Sequence, residues 1–70
     1  MQTNYYLITN NKVVTKTKNK IQLQNLVYND PTLCDSPMVF KSELEANQFA
    51  SKHNYTNTKI ISITIEQDVD

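Results

Sequence analysis

Apolar and polar positions divide this chain into short alternating runs and one stretch of helical period. Tyr5-Tyr6-Leu7-Ile8-Thr9 is β-prone, and Asn10-Asn11 separates it from Lys12-Val13-Val14-Thr15. Two consecutive residues at positive φ make the favoured hairpin connection, and asparagine can supply both. Residues 4–9 and 12–17 are therefore expected to pair as an antiparallel hairpin. From Lys18 to Tyr28 the pattern is ambiguous. Ile21 and Leu23 alternate as a strand would, while Ile21, Leu23, Leu26 and Val27 also approximate a helical stripe. A strand over 21–27 is the reading adopted.

Asn29-Asp30-Pro31 signals a turn, and Pro37 closes an irregular segment that holds Cys34 and Asp35. The short extended piece Met38-Val39-Phe40 leads to Ser42 and Glu45, which have the spacing of a capping box. Glu43 and Glu45 also sit where the positive end of the helix dipole favours acids. The spacing predicts a helix over 43–53 that stops at Asn54, a left-handed cap. Ala46, Phe49, Ala50 and His53 fall at i, i+3, i+4 and i+7, so they share one face. Leu44, Gln48 and Ser51 lie on the outer side.

After a turn-prone stretch, Ile61, Ile63 and Ile65 alternate with Ser62, Thr64 and Glu66. That is a strand with one buried and one wet face, with Asp68 and Asp70 extending its polar register. The expected fold is α+β: an antiparallel β-sheet of 3–4 strands with one helix packed on one face, in the order β-β-(β)-α-β. Residues 1–70 make one small domain.

Composition sharpens this picture. A chain of 70 residues buries only about 60% of its unfolded surface, so a second subunit would be a welcome support. With one cysteine, an internal disulfide is excluded, and a lone thiol fits a reducing compartment. The start lacks the basic and apolar regions of a signal peptide, and no run approaches a membrane span. The expected location is the cytoplasm, without membrane contact. Glycine is absent, which leaves positive-φ positions mostly to asparagine and excludes a glycine-rich phosphate loop.

Few residues of this chain could carry catalytic chemistry. His53 is the only histidine and belongs to a helix end, where packing or the terminal carbonyls account for it. Cys34 has no base placed beside it by the sequence and reads as a small apolar residue. Glu43/Glu45 serve the helix start and Asp30/Asp35 serve turns. One histidine and one cysteine cannot build a four-ligand zinc site. The reading is a protein that is not an enzyme, with no cofactor and no metal.

Charge is segregated although the formal net charge is zero. Residues 1–28 carry Lys12, Lys16, Lys18 and Lys20 and no acid, while all seven acids lie in 29–70. In a continuous strand the four even-numbered lysines would share a face, with Val13, Thr15, Thr17 and Ile21 opposite. Beside Tyr5 or Tyr6 such a ladder could track a nucleic-acid backbone while a ring stacks a base. The favoured reading is a solvated face or cross-strand pairing with Glu66, Asp68 and Asp70, followed by an acidic protein partner. Absent arginine, the nucleic-acid reading ranks last. A second surface is Leu44 with Gln48 and Ser51, of consequence if it joins Tyr55 or the 31–38 loop.

The tyrosine-rich opening hairpin, Phe40-Lys41-Ser42-Glu43-Leu44-Glu45-Ala46, Phe49-Ala50 and the terminal strand resemble small accessory proteins of bacteriophages of low-GC Gram-positive bacteria. The local motif is F-x-S-x-x-E-A-x-x-F-A. The resemblance implies stoichiometric docking onto a host enzyme or defence complex in the host cytoplasm, the anti-CRISPR role included. Neutral charge argues against DNA mimicry. The functional expectation is a non-catalytic protein-binding modulator using Lys12, Lys16, Lys18, Lys20, Tyr6, Leu44, Gln48 and Tyr55. The alternatives are a weak nucleic-acid binder and a structural homodimer.

Overall fold

The computed structural model describes residues 1–66. Asn10 and Asn11 take φ of 50° and 61°, the paired left-handed geometry that matches strand twist. They join β1 (Gln2–Thr9) to β2 (Lys12–Thr17), with Thr9 opposite Lys12 and Ile8 opposite Val13. Lys18, at φ 55°, begins the turn into β3 (Lys20–Asn25). The ambiguous segment is therefore a strand, shifted slightly towards the N-terminus of 21–27. Helix α1 (Glu43–Lys52) follows, then β4 (Thr58–Ile65). The four strands form one antiparallel sheet in the order β3-β2-β1-β4. No helix among the described residues is long and apolar enough to cross a membrane.

The opening hairpin is not fully zipped. Beyond its first two rungs, β1 and β2 diverge and residues 36–40 stand between them. The Lys16 N–H donates to Ser36 C=O at 3.0 Å and the Met38 N–H to Val14 C=O at 3.0 Å. Tyr5 and Phe40 exchange both backbone bonds, at 3.1 and 2.8 Å. The wedge thus satisfies strand groups that the splay would otherwise orphan.

It also carries the chain from one face of the sheet to the other. Before the wedge, Cys34 packs with Ile8 and Val13, joined by Leu26 and Ile61. After it, Phe40 packs with Leu7, Val14, Ala46 and Ala50 beneath α1. The two alanines let the helix approach the sheet closely. The loop between β3 and the wedge covers the opposite face, so one sheet separates two cores.

The C-terminal end of α1 follows the expected chemistry, and at its start one half of the expected capping box forms. The Ser42 Oγ accepts the Glu45 N–H at 3.1 Å, an N-cap contribution of about 1 kcal/mol. At the other end the Asn54 N–H donates to Ser51 C=O and the Tyr55 N–H to Ala50 C=O. With Asn54 at φ 56°, this is a Schellman closure, and Tyr55 supplies the apolar contact that accompanies it. The left-handed positions are Asn10, Asn11, Asn29, Asn54 and Asn57, joined by Lys18, Tyr28 and Ser36. Asparagine does take most of the role that glycine leaves vacant.

Candidate functional site

The lysine ladder does not exist as one face. Residues directly opposite in a sheet share a face, and Lys16 pairs with Ile21 while Lys20 pairs with Thr17. Lys12 and Lys16 thus project on the α1 side, Lys20 on the other, and Lys18 occupies the turn between strands. The continuous-strand premise fails because the chain reverses at Lys18-Asn19. Thr17 is exposed and Ile21 packs on the α1 side with Val14, so neither joins Val13 and Thr15 as expected. What remains is a shallow open depression of about 530 Å³ around the turn, lined by Thr17, Lys18, Asn19, Lys20 and Gln22.

Cross-strand pairing of the lysines with Glu66 is also corrected. β1 and, at that end, the wedge separate β2 from β4, which amounts to roughly 14 Å at ordinary strand spacing. Asp68 and Asp70 lie outside the described residues. Tyr6 is corrected too: only 4% exposed, its ring cannot stack on a base. It faces the side of the sheet shared with Ile61, its partner across β1 and β4.

The outer helix surface stands as expected, with Leu44 at 67% exposure and Gln48 and Ser51 also exposed. The 31–38 segment is divided between the two faces: Cys34 packs on the face away from α1, while Met38 packs on the α1 side with Phe40. The outer helix surface does not join Tyr55, which is half-buried beyond the far end of the helix. Tyr55 instead closes a run of rings. Phe40 meets Phe49 edge-on at 5.3 Å, Phe49 lies 4.2 Å from His53, and His53 stacks on Tyr55 at 5.6 Å and 18°. The imidazole stacks at the helix end and is exposed to solvent, so it does not complete the packed face of Ala46, Phe49 and Ala50.

Cys34 is buried, and its Sγ donates to the Asn25 C=O at 3.5 Å. Burial pushes the thiol pKa up, and the carboxylates of Asp35 and Asp30 add to the rise. A thiol held protonated is a poor nucleophile at neutral pH. Asp30 is occupied as a turn cap, its Oδ1 accepting from the Thr32 N–H at 3.0 Å and from the Thr32 hydroxyl.

The surface that sequence reasoning missed is the loop between β3 and the wedge. Val27, Tyr28 and Leu33 are all exposed there, Tyr28 at 91%. Tyr28 and Asn29 both sit in the left-handed region, at φ 54° and 52°, and the Asp30 N–H closes the turn on Val27 C=O at 3.0 Å. Tyrosine in that conformation costs on the order of 1 kcal/mol. A bulky ring is therefore held in a strained turn and pointed at solvent, anchored by a loop whose Cys34 is in the core. The available signal was Tyr28-Asn29-Asp30-Pro31, whose turn residues place the tyrosine at an apex. No protein-family model, no curated protein and no solved structure matches the chain.

Proposed function

We propose that the chain is a non-catalytic docking module that binds a protein partner through the Val27–Leu33 loop, with Tyr28 as the anchor. The observation that carries this reading is Tyr28 itself. Its left-handed turn and nearly complete exposure have no role in the packing of the domain. Tyrosine supplies large contact area with little entropy to lose, and it is enriched among residues that dominate binding energy. The side chains that could do chemistry have structural duties: Cys34 in a core, His53 in a ring stack, Glu43 and Glu45 at the helix start.

The resemblance to phage accessory proteins supplies the role class, a stoichiometric inhibitor of a host or defence protein, with anti-CRISPR-like action one form of it. Wild-type chain carrying an affinity tag should retain one host protein in equimolar amount from a low-GC Gram-positive lysate. Tyr28→Ala should lose that band while keeping the wild-type circular dichroism. A lysate that yields no stoichiometric partner sinks the reading, and a band indifferent to Tyr28→Ala removes the loop from it.

A second reading, weak nucleic-acid binding, has the depression around Lys18 and Lys20 in its favour. Binding there would fall steeply with salt and vanish in Lys18→Glu/Lys20→Glu. Unchanged mobility of single-stranded and duplex DNA at low salt excludes it.

A further inference from the structure

Among the described residues, β4 is an outer strand that pairs only with β1. Which of its backbone groups are free follows from Tyr5. Both Tyr5 groups bond Phe40, on the side away from β4. In an antiparallel ladder the residue opposite, Ser62, must then turn its own N–H and C=O outward. By alternation the same holds for Thr58, Ile60 and Thr64. Among the described residues, no backbone group pairs with this outer side.

Sheet edges are ordinarily blunted by proline, several lysines, a bulge or shortness. β4 has no proline, one lysine (Lys59), and an unbroken eight-residue register against β1. Thr58, Ile60, Ile61, Ile63, Thr64 and Ile65 are β-branched, which suits a pleated pairing surface. The opposite edge, β3, is shorter and carries Lys20, Gln22, Gln24 and Asn25.

We propose that β4 is a self-association edge, on which a second copy of this chain pairs antiparallel with Ser62 against the partner's Ser62. A two-fold axis normal to the sheet joins two four-stranded sheets into one of eight. In that register every outward residue from 58 to 66 meets an outward residue. Ile61 lies against the partner's Ile63 on the face away from α1, and Lys59 lays its stem along the partner's Ile65. Charge selects a second copy in this orientation. Each strand is positive at its start, Lys59, and negative at its end, Glu66. Antiparallel pairing brings each Lys59 end beside the partner's Glu66 end, the two side chains on opposite faces of the sheet, whereas parallel pairing would bring like ends together.

An edge of this size gives a weak dimer, with Kd on the order of 10–100 µM. Sedimentation of the purified full chain at roughly 300 µM should give a weight-average mass of about 1.7 to 1.9 times the 8.1 kDa chain mass, falling towards that of one chain on dilution. Ser62→Lys sets like charges face to face at the axis and should weaken association by tenfold or more, as should Ser62→Glu. An equimolar mixture of the two should restore it. Ser62 is exposed, so neither change burdens the core. Should either variant lose its circular dichroism, amide exchange of wild type decides: the Ser62 and Thr64 N–H must slow at high concentration. A wild type that stays monomeric throughout, an unaffected Ser62→Lys, or concentration-independent exchange overturns the proposal and leaves the edge to a strand from another protein.

Discussion

Val13 and Val14 are neighbours in β2 that point to opposite faces of the sheet, and both are 0% exposed. Each lies in a different core, Val13 with Cys34 and Ile8, Val14 with Phe40 and Leu7. Val13→Ala and Val14→Ala should each cost about 2 kcal/mol in urea unfolding. Only Val13→Ala opens space beside Cys34, so only that variant should speed native-state alkylation of the thiol. Equal acceleration in both would mean that the two cores are not separate.

The Cys34 thiol gives a pH signature. Its folded pKa is raised above the ordinary 9.0, so the unfolded chain loses this proton first. The associated stability is complete below that ordinary value and is lost as pH rises through the folded one. Unfolding midpoints of wild type and Cys34→Ala should therefore converge or cross as pH climbs past about 9. Parallel profiles through that range would refute the assignment.

Lys18 is held at φ 55° with no visible compensation. Lys18→Gly should raise stability by about 0.5–1 kcal/mol, read as a higher urea midpoint at unchanged slope. At the first turn the opposite holds: Asn10→Ala and Asn11→Ala should each lose about 1 kcal/mol.

The helix start is tested by Ser42. Removing the Oγ that accepts the Glu45 N–H in Ser42→Ala should cost about 1 kcal/mol, and Ser42→Asp should retain most of it. A silent Ser42→Ala in thermal melts would show that the helix draws nothing from this cap.

Local chemistry made much of the fold legible. Asn10-Asn11 announced the first turn, Ser42 and Glu45 the helix start, and the 61/63/65 alternation the last strand. What stayed hidden depends on partners distant in sequence. No local pattern says that Ser36, Met38 and Phe40 will bond β2 and β1, or that a loop will cover the second face and bury Val13 beside Val14. The lysine ladder misled because period-two spacing is meaningful only within one strand, and Lys18-Asn19 is a turn. Tyr28 escaped notice because strand and helix patterns reward burial, whereas its distinction is exposure in a strained turn.

The wedge between β1 and β2 also bears on how the chain reaches this fold. A hairpin is ordinarily the most local unit a sheet can offer, able to form early and alone. Of the β1/β2 hairpin only the Thr9/Lys12 and Ile8/Val13 rungs are local, whereas β2 and β3 pair locally over six rungs. The remaining groups of the first hairpin wait for a segment that lies beyond β3 in the chain, and β1 waits for β4 at the far end. Docking β1, β4 and the wedge onto the local β2–β3 hairpin therefore requires long-range closure, which slows folding. A fragment ending after β2 should have no stable structure of its own, and the domain should form in one step or not at all.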